Sequence, residues 1–153
     1  QPEHFLVPKI VSHFKRHQSV IELGNLHVAR EFNDVTFACD VYAQLLTANE
    51  TGIVTNLCSG KAIRLLDIIA IMNEIAGYEI EVTVNPAFVR PNEIKKLVGS
   101  TQRLFSLIGQ VDTPDIRSTL QTMYESWLII HISQLFNVQQ ILYFYFVKLI
   151  QTP

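Results

Sequence analysis

The sequence predicts a mixed α/β fold, and three observations carry that prediction. Short apolar runs in period two alternate with stretches whose apolar residues recur every three or four positions. Gly-Asn, Ser-Gly and single Gly or Pro residues punctuate the changes from one pattern to the other. A chain of 153 residues, 48% of them hydrophobic, can also bury one proper core.

At the start of the chain, Phe5, Leu6, Ile10, Val11 and Phe14 have helical spacing, with Pro8 near the beginning. Proline is tolerated in a first turn and breaks a helix deeper in, so a helix is predicted over 8–16. Val20-Ile21-Glu22-Leu23 reads as a short strand, ended by the turn pair Gly24-Asn25. Residues 31–37 alternate less cleanly and read as a strand entering a helix. That helix covers 40–48, with Val41, Leu45 and Leu46 on one side. The apolar run 52–58 is predicted as a strand closed by Ser59-Gly60. Residues 62–76 form the clearest helix: Ile63, Leu66, Ile69, Ala70, Asn73 and Ala76 repeat at three or four, and Gly77 supplies the stop. Strict alternation over 80–84 predicts a half-buried strand. Two further helices are predicted at 100–107 and 114–127, the second opening on Pro114.

Composition changes after residue 126. Of all the charged side chains, only Lys148 lies in the last 27 positions. The run 141–147 is unbroken and apolar, but His131, Ser133, Gln134, Asn137, Gln139 and Gln140 interrupt the tail. A membrane helix needs about 20 mostly apolar residues, so no span is expected. The chain therefore divides into 1–126, a folded portion, and 127–153, an apolar extension. The extension reads equally as a buried terminal element, a subunit contact or a foreign addition.

The net charge of −2 gives no global basic field, which argues against nucleic acid as a partner. Cys39 and Cys58 show no metal spacing and read as reduced thiols of a cytoplasmic protein. No secretory leader opens the chain, and its first residue, Gln1, raises the expectation of an excised piece. His13 and His17 share a helix face without a third ligand, so they read as a solvated pair and no metal is expected.

Two segments carry the functional signal. Residues 24–35 read Gly-Asn-Leu-His-Val-Ala-Arg-Glu-Phe-Asn-Asp-Val, and residues 90–93 read Arg-Pro-Asn-Glu. Each sets an arginine, Arg30 or Arg90, beside a turn-forming residue. A guanidinium donates two parallel hydrogen bonds to a phosphate, so two of them suit a polyanion. Taken singly, an arginine near a turn is more often a solvated or ion-paired surface residue. Glu93 fits equally a first-turn helix acid, Lys9 a snorkelling surface cation, and Asp34 a helix cap rather than a catalyst.

These segments, with Asn56-Leu-Cys-Ser-Gly60 and the helix ending at Gly77, occur in the same order as in extended short-chain dehydrogenases/reductases, the NAD-dependent epimerase/dehydratase family. Over roughly residues 1–126 the chain most resembles the GDP-mannose 4,6-dehydratase and GDP-6-deoxy-mannose reductase group. The resemblance implies the C-terminal, substrate-binding portion of an extended Rossmann-type dehydrogenase, without the glycine-rich half that holds NAD or NADP. It implies Arg30 and Arg90 on a diphosphate, Glu93 on ribose hydroxyls, Asn25 on the nucleotide or its ribose, and Lys9 near the nucleotide. GDP-mannose or a GDP-deoxysugar would be the ligand, and a homo-oligomer is compatible with it. Four positions depart from the group: His27 stands where an acid is usual, Thr36 where an arginine is common, Ser100 for an aspartate, and Gly109-Gln110 for Gly-Trp.

No Gly-x-x-Gly-x-x-Gly or Gly-x-Gly-x-x-Gly is present, and none of the tyrosines at 42, 78, 124, 143 and 145 has a lysine four residues later. The chain alone is therefore expected to hold no cofactor and to supply no catalytic residue. The expected function is the substrate-binding part of an NAD(P)-dependent nucleotide-sugar dehydratase or reductase. The alternatives are a non-catalytic interaction module with the apolar tail as its contact surface, or a truncated product inactive on its own.

Overall fold

The structure, a computed structural model, describes residues 2–135 and their side chains as far as Ser126. The elements in order are α1 (Leu6–Lys15), β1 (Val20–Leu23), β2 (Ala29–Glu31), α2 (Val35–Leu46), β3 (Ala62–Arg64), α3 (Leu65–Ala76), β4 (Glu81–Val84), β5 (Lys96–Leu97), α4 (Gln102–Ile108) and α5 (Ile116–Leu135). A one-turn 3-10 helix, Pro86–Phe88, follows β4. The strands form two small sheets. β1 and β4 run parallel, with Val20 opposite Glu81 and Leu23 opposite Val84. In the other sheet β2 is central, antiparallel to β3 and parallel to β5.

The helical and period-two patterns meet in one main core. α1 contributes Ile10, Val11 and Phe14, β1 contributes Ile21 and Leu23, α3 contributes Leu65, Ile68, Ile69 and Met72, and α5 contributes Leu120. Tyr78 closes the end of this core: its ring lies 5.3 Å from that of Phe14, and its hydroxyl donates to the Phe14 carbonyl at 3.2 Å. Gly77 ends α3 in the left-handed conformation (φ 75°, ψ 18°), and its N–H donates to the Asn73 carbonyl at 2.9 Å. A smaller cluster of Phe37, Val41, Leu104 and Val111 joins α2 to α4.

Three sequence expectations need correction. Residues 52–58 form no strand; a strand needs a hydrogen-bonded neighbour, and none of the described strands pairs with this run. The run stays an extended loop, with Val54 81% exposed. Residues 62–64 belong to β3 rather than to the helix that follows, so α3 starts at Leu65. α2 starts at Val35 rather than at 40, because Asp34 caps it by accepting the Thr36 N–H at 2.8 Å. α5 runs through position 127 to Leu135, so the change in composition falls within one helix. The apolar run 141–147 lies outside the described residues. No described helix is long and apolar enough to cross a membrane.

Candidate functional site

Because β1 and β4 are parallel, their carboxyl ends lie side by side, and the loops leaving them are neighbours. In open α/β sheets that is where ligands bind. Three contacts stitch the two loops together. Gly24 lies against the Phe88 backbone: a β-carbon on Gly24 would overlap the Phe88 carbonyl oxygen and sit 2.9 Å from its carbonyl carbon. Only glycine permits that approach. The Asn25 amide donates to the Arg90 carbonyl at 3.1 Å. The Ala29 N–H donates to the Lys95 carbonyl at 2.8 Å. Asn85 steadies the turn after β4, its oxygen accepting the Ala87 N–H and its amide donating to the Glu22 carboxylate, each at 2.9 Å.

Between the loops lies a cleft of about 550 Å³. Leu26, Val28, Val84, Val89 and Pro91 give it apolar walls, while Asn25, His27, Arg90, Glu93 and Lys95 supply the polar groups. Arg90, Lys95 and His27 are exposed, and among the described residues their side chains make no hydrogen bond or ion pair.

Of the five residues singled out from the sequence, Asn25, Arg90 and Glu93 line this cleft. Arg30 sits behind it. Its Nη2 pairs with the Glu93 carboxylate, and its Nη1 donates to the Ala29 carbonyl at 2.9 Å. Both members of the pair are 20% exposed. The open side of Arg30 looks onto a neighbouring depression shared with Asn56, Cys58 and Leu97. Lys9 lies outside the cleft lining. Its ammonium donates to the Glu22 carbonyl at 2.6 Å and stands 4.7 Å from the Phe88 ring centroid, a cation–π contact that braces the turn. Lys95, also on the lining, was missed in the sequence.

Two carboxylates hold the frame around the site. Glu31, at the end of β2, accepts from the Asn33 amide at 3.0 Å, from the Ser59 hydroxyl at 3.1 Å, from the Gly99 N–H at 3.1 Å, and from the Ser59 N–H. Burial alone would raise its carboxyl, but these bonds together outweigh it and hold the group below the ordinary glutamate range. Asp34 accepts from the Thr36 N–H, the Thr119 hydroxyl and the Thr36 hydroxyl, which hold its carboxyl low and tie the start of α2 to α5. Thus Asp34 serves as a cap and tie. A depressed carboxyl contributes stability that is present above its unfolded value and lost as pH falls through the lower folded value. Unfolding monitored between pH 6 and 3 should therefore show stability declining below the ordinary carboxylate range. Glu31→Gln should flatten the decline, and an unchanged profile would remove Glu31 from the acid-sensitive set.

Cys58 is buried beside Glu31, and both burial and that negative charge push its thiol up, so it is a packing residue rather than a nucleophile. Cys39 is exposed, and both thiols are free. No metal-holding group of His, Cys, Asp or Glu occurs among the described residues.

No family model matches the chain. A GDP-6-deoxy-D-talose 4-dehydrogenase from Aggregatibacter actinomycetemcomitans is 32% identical over 126 residues, which cover 82% of this chain and 43% of that protein. A crystal structure of a candidate epimerase from Burkholderia cenocepacia J2315 superposes with a TM-score of 0.79 at 39% identity, over 82% of this chain and 42% of the other. The structure of RMD from Pseudomonas aeruginosa complexed with NADPH gives a TM-score of 0.76 at 26% identity, over 83% of this chain and 43% of the other. The chain thus spans about two fifths of the length of the proteins it matches. Its mixed α/β architecture is that of the Rossmann-type epimerases and dehydratases. With the ordered motifs, the paired loops and these similarities together, the chain belongs to the extended short-chain dehydrogenase/reductase family.

Proposed function

We propose that the cleft at the carboxyl ends of β1 and β4 holds the nucleoside diphosphate of a nucleotide sugar, GDP-linked, for an NAD(P)-dependent dehydratase or reductase. The observation that carries this reading is the unpaired Arg90 guanidinium at the edge of an apolar-walled cleft. The cleft volume lies within the roughly 300–1,000 Å³ usual for small-ligand sites. Its walls of Leu26, Val84, Val89 and Pro91 suit a planar base. Arg90 suits the diphosphate, because its rigid fork matches phosphate oxygens. Glu93 keeps one carboxylate oxygen beyond its pair with Arg30, and a carboxylate oxygen accepts from a ribose diol. Asn25 shapes the same wall by holding the Arg90 backbone.

In this reading the residues of the cleft bind and orient the nucleotide. NAD or NADP supplies hydride transfer in enzymes of this family. Binding the nucleotide far from the reacting sugar carbon positions that carbon, and remote binding energy offsets the loss of motional freedom.

Calorimetric titration with GDP tests the reading. Binding at millimolar ligand or below is expected, and its absence would sink the proposal. Arg90→Ala should weaken binding by about 1.5–3 kcal/mol, the range for hydrogen bonds to charged groups. An unchanged affinity would remove Arg90 from the site.

A further inference from the structure

We propose that residues 35–58 form a docking surface for the parallel sheet of a dinucleotide-binding half, with α2 lying on a face of that sheet and the run 52–58 adding a strand to its edge. The inference does not rest on the ligand of the cleft. α2 is apolar on two sides. Phe37 and Val41 are buried in the small cluster shared with α4. Val35, Cys39, Tyr42 and Leu46 recur at intervals of four, three and four, so they form one stripe on the opposite side. All four are exposed, Leu46 by 87%. Asp40 is the one charged residue of this helix. A helix on the surface sets charged and polar residues on its outer side, whereas one apolar on both sides is covered on both.

The run after α2 completes the unit. Along it exposure alternates as in a strand: Ile53, Thr55 and Leu57 are half-buried, and Val54 and Asn56 are exposed. Leu57 packs on the same small cluster as α2. Among the described residues, no backbone–backbone hydrogen bond involves residues 52–57, and no strand pairs with them. A run of strand-like residues with its backbone groups unbonded is an open edge, ready to pair. The occupant follows from the relatives. This chain spans about two fifths of the proteins it matches, and their fold is Rossmann-type. A sheet of that kind carries helices on both faces and is extended by a helix joined to a strand, which is what residues 35–58 supply.

The test compares amide hydrogen exchange at residues 53–57 in two proteins. One is the full chain by itself. The other is a chimera in which the part of the GDP-6-deoxy-D-talose 4-dehydrogenase that this chain does not span is placed ahead of Gln1. In the chain alone these amides should exchange nearly as fast as in an unfolded peptide, at every protein concentration. In the chimera their exchange should slow at least roughly a hundredfold. Val54→Pro removes an N–H that bonds no backbone group in the chain alone, so the unfolding midpoint there should not move, whereas the chimera should lose its protection. Leu46→Lys should likewise spare the chain alone and lower the midpoint of the chimera. Slow exchange in the monomeric chain would overturn the proposal by showing the edge covered from within. Protection that rises with concentration would overturn it by assigning the edge to a second copy. Fast exchange in the chimera, folded or not, would overturn it as well. GDP titration of the chain alone reads the cleft separately, so failure of one reading leaves the other standing.

Discussion

Phe14→Ala should destabilise the protein by about 3–5 kcal/mol, the usual cost of emptying a fully buried aromatic site. Phe14 is 0% exposed and belongs to the main core, where α1 meets β1, α3 and Leu120. Its ring also contacts Tyr78, whose hydroxyl donates to the Phe14 carbonyl. Removing the ring opens a cavity and frees Tyr78 from its neighbour. Domains of this size are stable by about 5–15 kcal/mol, so the variant would sit close to unfolding. In urea, the midpoint should fall sharply with the slope nearly constant. A loss below about 1 kcal/mol would mean that the site collapses around the cavity and that α1 is not a principal part of the core.

Gly24→Ala should damage binding more than stability. Its new β-carbon would meet the Phe88 carbonyl, a backbone group that cannot rotate away. The two loops would have to separate, with a cost of about 1–3 kcal/mol typical of overpacking. Separation would strain the Asn25–Arg90 hydrogen bond and shift the Arg90 guanidinium, so GDP affinity should fall at least roughly tenfold. Gly52→Ala is the control: Gly52, unlike Gly24, has a left-handed backbone (φ 69°), and it has no neighbour within reach of a β-carbon. It should cost some stability without touching ligand affinity. Wild-type GDP binding by Gly24→Ala would show that the close approach does not shape the cleft.

What could be read from the sequence was local. β1, β4 and the Gly77 stop of α3 follow from patterns confined to a few neighbouring residues, and each stands within a residue of its predicted place. The strand expected at 52–58 failed because a strand exists only with a partner, and none of the described strands pairs with that run. β3 and β5 are three and two residues long, too short for any period to appear. Within the candidate site, Arg30 and Arg90 stood out as residue types beside turns, but the engagement of Arg30 by Glu93 spans 63 positions and leaves no local trace. Lys95 escaped notice because its place on the lining depends on the Ala29 N–H holding its backbone, another non-local contact.

The parallel pairing of β1 with β4 joins residues about sixty positions apart, and the cleft is stitched by contacts of the same span. Long loops close slowly, so this corner of the molecule should be among the last to form on folding. During synthesis the chain cannot assemble the cleft until residue 95 has left the ribosome. Ligand capture would then mark the completion of folding, and nucleotide added to refolding protein should raise the yield of the folded form by mass action.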